Sequence, residues 1–435
     1  MAQHVVGKIL LKFGFGILAL LVMVAPASAR QEDERDFRRR RPESEPSHAA
    51  LKLTAGGIGL TLGNSRDANG IRFNFRDRDL GTVNGINVTI WRYPYWGQTR
   101  SRFPNPRGVV NGLAVGIYGP QVARINGVAV GLAAIEAEDE FWGVGVSGLA
   151  TVAGDFHGLG IGGLAVVTAD DFEGIGLGGL AVVSGEDLRG LSFGGLAAVA
   201  GGSGRGLFVG GLAAVAGEDM TGIGLGGFAA VAGRSMKGLS VGGLASVAGE
   251  DRTGIGLGGL AVVTGDDFKG IGVGGLAVVS GSSASGFMFG GLANVVGSDL
   301  TGISIGGLAS VAGRNAMGIH VGGLASVTGG DFDGFALGGL AVHVEDRLRG
   351  LAVGGYRVEV PEAHGLVLAV VRTRINVLRG VTIAGYNHIH DTQRGLAIGL
   401  YNRAYRLHGV QIGLLNYAGN NEPPFRWMPL VNMNL

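Results

Sequence analysis

Two short motifs in this chain have the glycine spacing of enzyme sites. The segment 174–179 matches the dinucleotide-binding pattern G-x-G-x-x-G, and the segment 190–194 places Ser192 in the G-x-S-x-G pattern of a nucleophile elbow. Each site requires a helix directly after a strand, whereas both motifs recur along the chain at a fixed interval. We therefore interpret them as parts of a structural repeat. We expect no catalytic residue and no cofactor, and we predict that Ser192 fills a surface position.

Two further groups of residues have the chemistry of metal ligands. His388 and His390 lie two residues apart, which places both rings on one face of a strand, but no third ligand is evident in the sequence. Aspartates recur at one position of the repeat, as at Asp171, Asp187 and Asp219, yet the nonapeptide calcium pattern is absent. We predict that these aspartates form turns in which the side chain bonds its own backbone, and that no residue is a metal ligand.

A longer insertion is the strongest candidate for contact with another molecule. The segment 93–111 interrupts the repeat and carries aromatic and basic side chains. Insertions in repeat proteins often carry binding function, so we predict a surface here that contacts a protein or a glycan. The candidate residues are Tyr95, Trp96, Arg100, Arg102 and Arg107. The alternative is that the insertion caps exposed strand edges at the N-terminal end of the repeat.

The composition excludes several classes of protein. Of the 435 residues, 86 are glycine, 46% are hydrophobic and 16% are charged, which is too apolar for an intrinsically disordered chain. The glycines do not recur at every third position, so the chain is not collagen. Cysteine is absent, which excludes disulfides and thiolate ligands. The net charge of +1 gives no general attraction to nucleic acid, and we predict no nucleic-acid partner.

The first 48 residues differ from the rest of the chain. Residues 1–29 combine two lysines with the apolar run 13–24 and end in Ala-Ser-Ala, a pattern typical of a secretory signal peptide. The apolar run is shorter than the ~20 residues of a membrane-spanning helix. Residues 30–48 are rich in charges of both signs, which predicts a disordered linker. The expected location is the outer membrane or the cell surface, with the periplasm as an alternative.

A period of 16 residues organises the remaining chain. A glycine opens each unit from Gly158 to Gly350, and we number the positions of a unit from this glycine. The regular repeats therefore occupy 158–364. Looser copies precede them in 49–157 and follow them in 365–435.

The repeat predicts an all-β fold, and a parallel β-solenoid with one unit per coil is favoured. Positions 2 and 4 are apolar, an alternation typical of strands, and paired glycines follow at positions 5 and 6. In the irregular copies, positions 7 and 9 are mostly apolar and positions 8 and 10 are charged. We infer that the buried face reverses at the paired glycines, with Ile175, Leu177 and Leu180 pointing inward. The alternative is an antiparallel outer-membrane β-barrel with one unit per strand, because ~10-residue strands with short turns suit it.

The C-terminal units resemble a known bacterial family. Segments 395–402 and 409–416 read G-L-A-I-G-L-Y-N and G-V-Q-I-G-L-L-N, and the chain continues to a Pro-Leu-Val-Asn ending at 429–432. These segments are similar to the bacterial surface-repeat proteins of spirochaete type, whose repeats read G-x-Q-I-G-L-x-N. The central Gly-Gly-Leu-Ala units lack this Gln and Asn. The resemblance implies an exported, envelope-associated protein and brings no catalytic residues.

These features predict a function without catalysis. The expected protein is an exported β-repeat protein of the envelope or cell surface, with a structural or contact-presenting role. The alternative function is that of an outer-membrane barrel that passes or binds small molecules. The sequence leaves the oligomeric state open.

Overall fold

The described chain is built entirely of β-strands. The computed structural model describes residues 49–77, 80–91 and 108–434, which lie in one compact unit, Ser47–Leu435. Within these residues all 37 strands join one hydrogen-bonded system, and no helix occurs. The strands are β1 (Ala50–Ala55), β2 (Ile58–Gly63), β3 (Ala68–Asn74), β4 (Thr82–Thr89), β5 (Val109–Gly116), β6 (Gln121–Gly131), β7 (Ala134–Ser147), β8 (Ala150–Gly162), β9 (Ala165–Thr168), β10 (Phe172–Gly178), β11 (Ala181–Ser184), β12 (Leu188–Gly194), β13 (Ala197–Ala200), β14 (Gly204–Gly210), β15 (Ala213–Ala216), β16 (Met220–Gly226), β17 (Ala229–Ala232), β18 (Met236–Gly242), β19 (Ala245–Ala248), β20 (Arg252–Gly258), β21 (Ala261–Thr264), β22 (Phe268–Gly274), β23 (Ala277–Ser280), β24 (Ala284–Gly290), β25 (Ala293–Val296), β26 (Leu300–Gly306), β27 (Ala309–Ala312), β28 (Ala316–Gly322), β29 (Ala325–Thr328), β30 (Phe332–Gly338), β31 (Ala341–Val344), β32 (Arg347–Gly354), β33 (Arg357–Ala369), β34 (Arg372–Ile383), β35 (Tyr386–Ile398), β36 (Tyr401–Ala418) and β37 (Trp427–Asn434).

Each regular coil contains one long strand and one short strand. In the coil opened by Gly174 these are β10 and β11. The long strand pairs in parallel with β8 and β12, and the short strand with β9 and β13, with equivalent positions in register. The coils therefore stack into two facing layers, the long-strand sheet and the short-strand sheet. The fold is the predicted parallel β-solenoid, with about 20 turns and a 16-residue period. Because successive units pair in parallel, the antiparallel barrel alternative is wrong.

Antiparallel pairs end the solenoid on both sides. At the N-terminal end β1 folds back on β2, and at the C-terminal end β37 folds back on β36. Both terminal strands keep apolar side chains in solvent, including Leu51 and Leu53 on β1 and Met433 on β37. Within the described residues, each end of the solenoid thus finishes in a single returning strand.

The core between the two sheets is not formed by the predicted residues. Ile175, Leu177 and Leu180 are 39%, 36% and 46% exposed, so the prediction that they point inward is wrong. The buried positions are 15, 3, 9 and 11, as at Phe172 and Val182. These positions are all odd, so the buried face does not reverse at the paired glycines. Ser192, at position 3, is fully buried and is not the surface residue that we predicted.

The width of the core explains which residues are buried. Positions 15 and 3 lie four residues apart on one long strand and fill the same space between the sheets. On β10 the large Phe172 at position 15 is followed by Gly176 at position 3, whereas on β14 Gly204 at position 15 is followed by the large Phe208 at position 3. A Cβ on Gly204 would lie only 2.6 Å from the ring of Phe208. One large side chain per coil therefore fills this region, and the large residues at positions 2, 4 and 7 remain outside.

Glycines at several positions of a regular coil are required by the backbone. Position 1 has a φ angle between +109° and +147° from Gly70 to Gly409, a region that favours glycine. A Cβ on Gly174 would also lie 1.9 Å from the carbonyl oxygen of Gly158 in the preceding coil. At the corner, a Cβ on Gly178 would lie 2.0 Å from the carbonyl oxygen of Ala181. The repeated glycine spacing thus follows from close stacking of the coils.

The aspartates of the polar turn connect successive coils. Asp171 accepts a hydrogen bond through Oδ1 from the backbone N–H of Asp187, and Asp187 accepts one from the N–H of Ser203, both at 2.9 Å. Asp219 accepts in the same way from the N–H of Ser235 at 3.1 Å. The prediction that these side chains bond their own backbone is wrong, because their partner lies one coil further on. The aspartates form a ladder along one edge of the solenoid.

The C-terminal coils replace part of the apolar core by amide ladders. Asn387 donates to Oδ1 of Asn402, which donates to Oδ1 of Asn416, each at 2.7 Å, and all three side chains are fully buried. Gln411 donates to Oε1 of Gln393 at 2.9 Å. The Asn and Gln side chains of the C-terminal coils therefore have a structural role, in which buried amides hydrogen-bond to one another between coils.

Candidate functional site

The two enzyme-like motifs, 174–179 and 190–194, do not have the local structure that their chemistry requires. The corner after Gly179 leads into β11, which is a strand, so no helix N-terminus faces the glycines of 174–179. The hydroxyl of Ser192 lies in the core and contacts the carbonyl oxygen of Leu207 at 3.4 Å. The predicted contact residues Tyr95, Trp96, Arg100, Arg102 and Arg107 lie outside the described residues.

The two histidines considered as metal ligands do share one side of the solenoid. The rings of His388 and His390 are stacked, with their centroids 3.9 Å apart. Across the described part of the chain, no group of three or more His, Asp or Glu residues is placed to hold a metal ion.

The most extensive exposed feature is an apolar surface along the solenoid. Positions 2 and 4 of the long strands point outward and are occupied by Ile, Leu, Val or Phe in the regular coils. Position 7, at the corner, adds a ridge of large apolar residues such as Leu244, which is 47% exposed. We call positions 2, 4 and 7 of the coils that open at Gly158 to Gly350 the apolar face. In-register pairing arranges each position as a column along the solenoid axis.

Apolar character continues around the corner. Positions 8 and 10 of the short strands are mostly alanine and valine, and most of these side chains are half-buried on the outside of the short-strand sheet. At the N-terminal end, the apolar columns border a groove with a volume of about 560 Å³. It is lined by Phe73, Val88, Val115, Val130 and Val146, among others. In the regular coils, the opposite edge is strongly polar.

The polar edge consists of positions 12 to 14 and the flanking position 16. Arg234 pairs with Glu218 at 2.6 Å, and Arg314 pairs with Asp299 at 3.1 Å, each across neighbouring coils. All four side chains are at least 40% exposed, so each pair contributes about 0–1 kcal/mol. The solenoid thus has a solvated charged edge and an apolar edge on opposite sides.

Two titratable side chains of the regular coils, Arg252 and His320, are buried in the core. Arg252, at position 15, is 1% exposed and donates to Oγ of Ser246 at 3.0 Å and to Oγ1 of Thr264 at 3.3 Å. Burial lowers the pKa of Arg252 to about 10, and burial also lowers the pKa of His320 to about 4. Neither side chain reaches solvent, so neither forms part of an accessible site.

The geometry defines a class, an amphipathic parallel β-solenoid with an apolar outer face. Comparison with protein-family models, curated proteins and solved structures finds no significant match to this chain. Of the residues described, none belongs to a helix long and apolar enough to cross a membrane.

Proposed function

We propose that this chain is an exported, non-enzymatic structural protein of the cell envelope or surface, which associates with a second copy of itself through the apolar face. The observation that carries the proposal is the continuous exposure of large apolar side chains at positions 2, 4 and 7. Contiguous apolar patches above a few hundred Å² mark interaction sites in soluble proteins.

The dimensions of the apolar face suit a protein partner. The chain from position 2 to position 7 is about 16 Å long and bends at the corner, and the regular coils stack over about 60 Å, so the face covers at most about 1,000 Å². A stable interface buries about 800 Å² on each partner. One apolar face is therefore large enough for a stable dimer.

A second copy is the partner that matches this surface best. The apolar side chains recur about every 4.8 Å along each column, and the inward position 3 leaves a groove between columns 2 and 4. Another copy carries columns with the same spacing, so the two faces interdigitate over their whole length. The charged edge stays in water in such a pair.

Export is supported by the sequence of the N-terminal region. Residues 1–29 have the pattern of a signal peptide, and the C-terminal units resemble surface-repeat proteins. We expect cleavage after Ala29, so that the mature chain begins at Arg30. Mass spectrometry of the N-terminal peptide from fractionated cells measures this. A cytoplasmic protein that retains residues 1–29 would contradict export.

Self-association is tested by placing charges in the apolar face. Ile223, Ile255 and Ile303 are 40%, 39% and 38% exposed at position 2, so their replacement by lysine leaves the core intact. We expect the wild-type full chain to sediment as a dimer or a larger assembly. The triple lysine variant should sediment as a folded monomer, with an unchanged circular dichroism spectrum, because unpaired charges oppose burial.

The same strands provide a matched control. Thr221, Thr253 and Thr301 precede the three isoleucines by two residues, and the repeat already carries lysine at this position in Lys237 and Lys269. The variant with these three threonines changed to lysine should remain associated. A wild-type chain that stays monomeric, or equal association of both triple variants, would overturn the proposal.

A further inference from the structure

The outer surface of the short-strand sheet changes character in its last coils. From β33 onward, the columns that hold alanine and valine in regular coils hold charged and aromatic residues instead. One column carries Arg357, Arg372, Tyr386 and Tyr401, and the other carries Glu359, Arg374, His388 and Arg403. We call Arg357, Arg372, Arg374, His388 and Arg403 the basic patch.

The basic patch has too few carboxylates to neutralise it. Oε1 of Glu359 lies 3.6 Å from Arg357, 3.8 Å from Arg372 and 3.9 Å from Arg374. These distances exceed those of charge-assisted hydrogen bonds, which are about 2.7–2.9 Å. One carboxylate is therefore shared loosely among three guanidinium groups. Its other oxygen lies 3.7 Å from His343.

Two arginines in the patch have unused donors. Nε of Arg372 is buried and has no hydrogen-bond partner among the described residues. Arg403 lies over the ring of Tyr417 at 5.7 Å, and in the described structure it forms no ion pair. The nearest acidic residue in sequence, Asp391, pairs with Arg406 at 3.0 Å instead. The Arg372 side chain is 35% exposed overall, and clustered guanidinium groups of this kind suit an anionic ligand with several acceptor oxygens.

The histidine in the middle of the basic patch lies close to its positively charged arginines. His388 pairs in register with Arg374 on one side and Arg403 on the other. Burial, together with the charges of His390, Arg403, Arg374 and Arg372, lowers its pKa to about 4. An anion bound here would offset those charges and raise the pKa of His388.

A strip of stacked aromatic rings lies beside the basic patch. The rings of Tyr386 and Tyr401 are stacked, with centroids 5.0 Å apart and an interplanar angle of 9°, and Trp427 continues the strip 6.2 Å further on. Tyr386 is the register partner of Arg372. Because these rings stack on one another, their faces are covered, and the strip presents ring edges and phenol hydroxyls instead. A phenol hydroxyl can both donate a hydrogen bond to a sugar hydroxyl and accept one from it.

We propose that the basic patch binds a phosphate monoester carried on a sugar ring. The guanidinium groups of Arg372, Arg374 and Arg403 hold the phosphate oxygens, and the phenol hydroxyls of Tyr386 and Tyr401 bond the hydroxyls of the sugar. The phosphosugar belongs either to a free sugar phosphate or to a glycolipid headgroup, and both present the same chemistry to the patch.

Calorimetric titration of the full chain with glucose 6-phosphate, inorganic phosphate and glucose tests the site. We expect glucose 6-phosphate to bind more tightly than phosphate, and glucose not to bind. The pKa of His388, followed by NMR, should rise on saturation. Vesicles that contain a phosphorylated glycolipid, compared with phosphatidylcholine vesicles, distinguish the headgroup source from the free one. Binding to either source supports the proposal.

Matched variants assign the binding to the patch. Arg374→Gln with Arg403→Gln should weaken glucose 6-phosphate binding by about tenfold or more, because charge-assisted bonds are lost. Arg379→Gln with Arg394→Gln changes two exposed arginines on the long-strand sheet and should leave binding unchanged. Tyr401→Leu should remove the preference for glucose 6-phosphate over phosphate. Absence of binding, equal loss of affinity in both arginine double variants, or equal affinity for phosphate and glucose 6-phosphate would each overturn the proposal.

Discussion

Individual polar residues in the core occupy positions where other coils carry apolar ones. His320 occupies position 3, which holds Met288 two coils earlier, and its ring meets Phe332 edge-on at 5.2 Å. Nε2 of His320 is buried without a hydrogen-bond partner among the described residues. The coil thus tolerates a neutral imidazole but has no group to stabilise the charged form.

His320 should make the protein sensitive to acid. Its pKa is lowered by burial from 6.5 to about 4, so between these values the unfolded chain binds a proton that the folded chain does not. Protonation of His320 in the unfolded chain therefore has no effect on the free energy of unfolding above pH 6.5. As the pH decreases from 6.5 towards 4, it lowers that free energy by about 3 kcal/mol. We expect His320→Met to reduce the loss of stability between pH 7 and pH 4.5 in urea unfolding.

An exposed histidine provides the control for this titration. His408→Gln removes an imidazole outside the core and should follow the wild-type acid dependence. If His320→Met and wild type lose the same stability on acidification, His320 is protonated in the folded state and the assigned burial effect is wrong.

At the scale of strands, the period and the parallel stacking could be predicted, but the buried face could not. Apolar residues at Ile175 and Leu177 alternate as a buried strand face does, and hydrophobicity alone assigns them to the core. That assignment fails because each coil has room for only one large side chain in this part of its interior. The solenoid was predicted correctly, but the argument for it was a reversal of the buried face at the paired glycines. The structure shows no such reversal.

A different signal in the sequence does identify the core. Residues at positions 15 and 3 are complementary in size, with large followed by small at Leu188 and Ser192, and small followed by large at Gly204 and Phe208. Such compensation four residues apart on one strand is expected only if both side chains share one space. The candidate contact surface could have been predicted from this signal, because it leaves positions 2 and 4 on the outside.

Exchanging this pair tests the shared space. Phe208→Ser leaves a cavity and should cost about 3–5 kcal/mol, and Gly204→Leu overfills the core and should cost about 1–3 kcal/mol. The double variant reproduces the Leu188 and Ser192 pair of the preceding coil. We expect it to be less destabilised than Phe208→Ser alone, as measured by thermal unfolding. Additive effects of the two changes would show that the side chains do not share a space.

Across the whole solenoid, each coil is stabilised mainly by contacts with the coils directly before and after it along the axis. Each coil contacts its neighbours through in-register strands, so the stability of the assembly approximates a sum over coils and the contacts between them. The apolar core is interrupted around Arg252, with one buried cluster ending at Ala248 and the next beginning at Val262. Whole coils are therefore the natural units for insertion or removal.

Removal of one coil should preserve stability only when the deletion keeps each large side chain at position 15 or 3 paired with a small one. Deleting 268–283 removes a complete coil with its Phe268 and Gly272 pair and joins Asp267 to Ala284, so every remaining pair of positions 15 and 3 stays matched. We expect a folded, shorter solenoid with a β-type circular dichroism spectrum. Deleting 270–285 removes the same number of residues but places Phe268 and Met288 on one strand.

The second deletion should be less stable than the first because two large side chains then compete for the space that holds one. Overfilling of this kind costs about 1–3 kcal/mol, although both deletions keep the 16-residue period, the corner glycines and the polar turn. Thermal unfolding of the two variants side by side measures the difference. Equal stability would mean that one coil accommodates two large side chains at positions 15 and 3. Limited space in the core would then not explain why the apolar residues at positions 2, 4 and 7 lie outside.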